Sequence, residues 1–147
     1  HPALVGIQIR VLQRLGTERA LVVYGRDGLD EISLGASTLV GELRGGQIRE
    51  YEIHPEDFGL TMASTRNLRV ENAEQSSAML ISALHEDSGT AHDIVALNAG
   101  AALYVSGQAK SITEGLAKAN AVIKSGAATA KMHQFIELTK ILGKDNG

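Results

Sequence analysis

The amino-acid sequence predicts an α/β fold: part of a mostly parallel sheet with an antiparallel hairpin, covered by helices, and a helical C-terminal half. Three observations carry this. An apolar helix-like segment is followed closely by a continuous apolar run, two strand-like segments flank a Gly-Gly pair, and three helix-start signals succeed one another from Asn72 onward.

In the first sixteen residues Leu4, Ile7, Val11 and Leu15 recur at helical spacing, with Val5, Ile9 and Leu12 on a neighbouring stripe. A helix apolar around most of its circumference is expected to be sandwiched between layers, and Gly16 is placed to end it in the left-handed conformation. Residues 20–24, Ala-Leu-Val-Val-Tyr, then read as a strand buried on both faces, as in a parallel sheet. Segments 38–43 and 47–53 flank Gly45-Gly46 as a hairpin, which Pro55 closes. Asn72-x-x-Gln75, Thr90-x-x-Asp93 and Ser111-x-x-Glu114 each have the form of a helix N-terminus. Ile112, Leu116, Ala119 and Ile123 share one helical face; Met132, Phe135, Ile136, Thr139 and Leu142 share another. The C-terminal helices are expected to cover the sheet as one α/β unit.

Composition narrows the function classes. The chain has 147 residues, 44% hydrophobic and 21% charged, enough for one domain with its own core. Without cysteine it can hold no disulfide, thiolate zinc site or cysteine nucleophile. A net charge of -3 without basic blocks, and only five aromatic residues with no Trp, argue against a nucleic-acid surface. The longest apolar stretch, 94–105, is interrupted by Asn98 and falls short of the roughly 18–20 residues a membrane span needs. No membrane association is therefore expected, and a cytoplasmic location is. The start at His1-Pro2, without an initiator methionine, suggests a piece of a longer polypeptide.

The strongest chemical signal is the loop after the first strand, Gly25-Arg26-Asp27-Gly28-Leu29-Asp30-Glu31. Ligands of α/β sheets bind beyond the carboxyl ends of strands. Asp27, Asp30 and Glu31 there suit a hard divalent cation that keeps waters and bridges to a phosphate, or else form a solvated acidic loop. The five histidines are scattered; His85 and His92 lie beside Glu86, Asp87 and Asp93 and bracket a helix-helix turn at Ser88-Gly89, which reads as capping. No serine-hydrolase elbow and no dinucleotide or triphosphate loop occurs. Asn98 and Tyr104 interrupt an apolar helix: either they line a site or, as expected here, Asn98 satisfies a buried backbone group and the Tyr104 hydroxyl reaches a partner.

Three stretches, Leu21 through Ser33, Pro55-Glu56-Asp57-Phe58-Gly59-Leu60 and Leu97 through Val105, occur in an order that resembles the anthranilate phosphoribosyltransferases. The likeness runs from about Pro2 to Ile141. It implies transfer of the phosphoribosyl group of phosphoribosyl pyrophosphate to anthranilate in tryptophan biosynthesis, with Mg2+ as cofactor. By the match to the family's Asp-Gly-Leu-Asp-Glu motif, the metal pair is Asp30 and Glu31. The resemblance also implies that residues 1–147 are the C-terminal portion of the large α/β domain. The small helical domain, the glycine-rich pyrophosphate loop and most substrate contacts lie outside it, so this chain alone is expected to be inactive and the full-length enzyme a homodimer. Tyr24 stands where relatives commonly have His, and the connection 68–72 is shorter than usual. A fold-level likeness to pyrimidine nucleoside phosphorylases, and an inactive folded unit, are the alternatives.

Overall fold

The computed structural model describes residues 1–85 and 89–144. Helix α1 (Ala3–Arg14) leads into strands β1 (Arg19–Gly25), β2 (Thr38–Arg44) and β3 (Gln47–Ile53). Two short 3-10 turns, Pro55–Phe58 and Thr65–Leu68, precede helices α2 (Ala73–Ala83), α3 (Thr90–Val105), α4 (Ile112–Lys124) and α5 (Ala127–Lys144).

The sheet has the order β1-β2-β3, and both of its pairings are antiparallel. The α/β class and the hairpin stand as predicted. The parallel part expected around β1 is not among the described residues: β1 pairs with β2 alone, from Arg19 opposite Arg44 to Gly25 opposite Thr38. An apolar run reports burial and says nothing of strand direction. The β2–β3 turn is two residues long, with Gly45 at φ +57° and Gly46 at φ +76°. Positive φ at both central positions matches the twist of the strands, and glycine reaches it without a Cβ penalty.

Alternation along β2 divides the core. Val40 joins Ile32, Leu34, Ile53, Leu97, Ala101 and Ile112 on the α3 face, while a Cβ at Gly41 would meet Val5 and Ile9 of α1. Helices thus lie on both faces of the sheet. The sandwiched position expected for α1 is corrected: Val5, Gly6 and Ile9 are buried, but Leu4, Ile7, Val11 and Leu15 are 45–76% exposed. Periodicity marks which stripe prefers burial without supplying a surface to cover it. The same holds for α5, where Phe135 is 65% and Leu142 is 54% exposed. Of the C-terminal helices it is α3 that packs on the sheet, with α4 against α3 and α5 against α4. The predicted face of α4 is buried throughout, at Ile112, Leu116, Ala119 and Ile123.

Two of the three predicted caps form: the Asn72 side chain accepts from the Gln75 N–H, and the Ser111 hydroxyl from the Glu114 N–H. The third shifts by one residue. Gly89 precedes α3 without a side-chain cap, and Thr90 is the first helical residue.

At the end of the sheet away from the acidic loop, Glu42 accepts hydrogen bonds from the hydroxyls of Tyr51 and Tyr104. Arg44 donates to the Tyr104 hydroxyl at 3.3 Å, and the Arg19 and Arg44 guanidinium groups stand 5.5 and 5.7 Å from its ring centroid. Burial, and then the charge of Glu42, push the Tyr51 phenol well above its ordinary value of 10.0. A raised folded-state pKa adds stability that is complete below the unfolded value and is lost as pH rises toward the folded one. Stability is therefore expected to fall as pH rises above 10, and less so in Tyr51→Phe; urea midpoints measured at pH 8–11 check this.

Candidate functional site

The loop from Gly25 to Thr38 leaves the carboxyl end of β1 and returns to β2, and its backbone is bonded at both ends. Gly25 N–H donates to the Leu29 carbonyl at 2.8 Å, and Arg26 N–H to the Ser37 carbonyl at 2.8 Å. Arg26 is held by an ion pair with Glu52 on β3. Arg26 and Ser37 in turn keep the Glu52 carboxyl below its usual range.

The three loop carboxylates separate into two kinds. Asp27 is turned to its own loop: its Oδ2 accepts from the Ser33 hydroxyl at 2.7 Å and the Thr65 hydroxyl at 3.3 Å, and its Oδ1 from the Leu29 N–H at 3.4 Å. Ser33 is fully buried, and its hydroxyl also accepts from the Gly35 N–H at 2.9 Å. Asp27 is thus an internal staple of the loop. Asp30 and Glu31 are exposed and make no hydrogen bond or ion pair with another described residue.

Immediately beyond the pair, Ile32 is buried at 2% exposure. Its N–H donates to Asn98 Oδ1 at 3.0 Å, and its carbonyl accepts from Asn98 Nδ2 at 3.0 Å. The same Nδ2 donates to the Ile94 carbonyl at 2.9 Å. The expectation that Asn98 satisfies a buried backbone group holds, and it satisfies both groups of one residue. The signal available in the sequence was an amide in an apolar helix; its partner, 66 residues away, was not readable there.

The donor chemistry fits a hard cation. Two adjacent carboxylates with no internal partner offer oxygen ligands, and magnesium commonly takes one or two carboxylates while substrate phosphates and waters complete its shell. Among the described residues no group of three or more acidic or histidine side chains converges. The pair therefore suits a metal shared with a phosphate-bearing ligand better than an all-protein cage. On one side of the loop lies a cavity of about 280 Å³ lined by Asp27, Gly28, Leu29, Thr65, Leu68 and Arg69.

The sequence pattern described as glycosyl transferase family, a/b domain, matches residues 1–129. The chain belongs to that family. It is 62% identical over 144 residues to the anthranilate phosphoribosyltransferase of Janthinobacterium sp. (strain Marseille), an alignment covering 98% of this chain and 42% of that protein. A crystal structure of anthranilate phosphoribosyltransferase from Thermus thermophilus superposes with a TM-score of 0.83 at 34% identity, over 93% of this chain and 40% of that one. The Saccharomyces cerevisiae enzyme in complex with PRPP and Mg shares the fold at 23% identity and a TM-score of 0.71, over 82% of this chain and 35% of that one. The chain thus spans about two fifths of the length of these relatives.

Within this glycosyl transferase fold, His92 has structural partners. It caps α2 and ties helices together: its Nδ1 is 3.2 Å from the carbonyl of Ala83, the last residue of α2, and its Nε2 is 3.2 Å from Asn120 Oδ1 on α4. Glu86, Asp87 and Ser88, part of the same predicted turn, lie outside the described residues. Tyr24 is opposite Leu39. Since Leu21 and Val23 face the α3 core, alternation puts Tyr24 on the other face, away from Asn98. Among the described residues no helix is long and apolar enough to cross a membrane.

Proposed function

We propose that this chain is the C-terminal portion of the large α/β domain of an anthranilate phosphoribosyltransferase. The complete enzyme transfers the phosphoribosyl group of phosphoribosyl pyrophosphate to anthranilate, giving N-(5-phosphoribosyl)anthranilate and pyrophosphate. The observation that carries this reading is the exposed, internally unpartnered pair Asp30 and Glu31 within an anchored loop, in a chain 62% identical to a transferase of that name.

In this reading Asp30 and Glu31 hold Mg2+. Bound there, Mg2+ would supply charge neutralisation for the departing pyrophosphate. The carboxylates fix where that neutralisation occurs, and the anchored loop spares them reorganisation as the bond from C1 of the ribose to the pyrophosphate oxygen breaks. Anthranilate's amine is already a neutral nucleophile, so positioning carries much of the remaining work. The open apolar stripes of α1 and α5 support a larger parent. By family resemblance the whole enzyme is a cytoplasmic homodimer.

The test is the loss of anthranilate fluorescence in the presence of phosphoribosyl pyrophosphate and Mg2+, with a polypeptide of the relatives' length run beside this chain. Turnover by the long form alone is expected. Phosphorolysis of a pyrimidine nucleoside by the long form, without use of anthranilate, overturns the transferase reading. Turnover by the 147-residue chain overturns the view that it is an incomplete part.

A further inference from the structure

We propose that Asn98, on α3, is a positioning residue for the acidic pair: by bracketing Ile32 it sets where Glu31 presents its carboxylate. The proposal rests on the metal reading of Asp30 and Glu31.

Rigid peptide planes carry the constraint. A peptide unit is planar, so the Ile32 N–H lies in one plane with the Glu31 carbonyl and the Glu31 Cα. Holding that N–H at 3.0 Å on Asn98 Oδ1 therefore places the Glu31 Cα. Likewise the Leu29 carbonyl shares a plane with the Asp30 nitrogen and Cα, and it is held by the Gly25 N–H at 2.8 Å. Each member of the pair thus hangs from an anchored peptide, Asp30 from its N-terminal side and Glu31 from its C-terminal side. The peptide between them is the hinge left free.

Asn98 suits this task for a chemical reason. Ile32 lies outside the three strands and is buried, so its N–H and carbonyl need a donor and an acceptor together. A carboxamide offers both in one plane and acts as a one-residue strand partner. The Ile94 carbonyl, held at 2.9 Å by the same Nδ2, fixes the amide to its own helix. Residues that orient metal ligands from behind commonly change metal affinity by about 10–100-fold when lost.

The test uses the full-length protein with Asn98→Leu, which keeps the volume and removes the hydrogen bonds. Asn98→Gln, which displaces the amide by one methylene, serves if the leucine variant does not fold. Ile123→Val, a mild core truncation between α4 and its neighbours, controls for lost stability. Three quantities are read: amide exchange of the segment containing Ile32, the Mn2+ concentration that half-saturates binding in the presence of phosphoribosyl pyrophosphate, and the Mg2+ dependence of transfer.

In the Asn98 variant we expect faster exchange at Ile32 and half-saturation raised about tenfold, with Ile123→Val melting earlier but binding Mn2+ as the wild type does. An Asn98 variant that folds and binds Mn2+ within about twofold of wild type, while Asp30→Asn binds far more weakly, overturns the positioning role and leaves the metal reading standing. Ile123→Val weakening Mn2+ as much as the Asn98 variant does reduces the effect to stability and also overturns it. Unchanged binding in Asp30→Asn removes the metal reading and the proposal together.

Discussion

Gly115→Ala is expected to destabilise the fold by on the order of 3 kcal/mol, a large share of a domain's stability. Helices α3 and α4 cross with their backbones in contact: a Cβ built on Gly115 would stand 2.1 Å from the Gly100 carbonyl oxygen, and one on Gly100 would stand 2.5 Å from the Leu116 nitrogen. Neither obstacle is a side chain that can swing away. Alanine has the better helix propensity, by about 0.5–1 kcal/mol, so propensity alone predicts the opposite sign. Backbone overlap decides because relieving it requires α4 to move off α3, opening the packing of Ala96, Leu116, Ala119 and Ile123. The melting temperature should fall by roughly 6–12 °C. Gly143→Ala in α5, where a Cβ meets nothing within 4 Å, should leave it unchanged or slightly raised. Equal effects at the two positions would contradict the close crossing.

In a full-length enzyme, Asp30→Asn and Glu31→Gln should each lower turnover by about 100-fold or more, since on the proposed reading each removes a charged ligand from the centre that stabilises the leaving group. The fold should survive, because both side chains are exposed and bonded to no described residue. The double variant should fall little below the worse single one, as expected of ligands acting on a single ion. Asp27→Asn works differently. It weakens the staple to Ser33 and Thr65 and so costs stability as well as activity. Progress curves at saturating substrate, paired with melting curves, distinguish the two patterns.

How much of this is legible in the sequence depends on the range of the interaction concerned. The Gly45-Gly46 turn, the caps at Asn72 and Ser111 and the buried face of α4 are set by residues within a few positions of one another, and all are readable there. The cap at Gly89 is displaced by one residue from its expected place because Thr90 and Asp93 have the spacing of a capping box without forming one. The antiparallel partner of β1 begins thirteen residues after β1 ends, and nothing in its apolar run distinguishes that partner from a parallel one. Exposure along α1 and α5 departs from expectation because a 3.6-residue period identifies a face without identifying its cover. At the site, the acidic pair is visible as a motif. Its separation from Asp27 is not, because it depends on the Ser33 and Thr65 hydroxyls, 6 and 38 residues along the chain.

The central claim is that Asp30 and Glu31 form the protein's share of a metal site used with phosphoribosyl pyrophosphate. It is tested most directly by Mn2+ binding to the full-length protein, followed by electron paramagnetic resonance with and without that substrate. The account predicts binding that tightens when phosphoribosyl pyrophosphate is present and is lost, by at least about tenfold in affinity, in both Asp30→Asn and Glu31→Gln. Binding of equal strength in wild type and in both variants would contradict it.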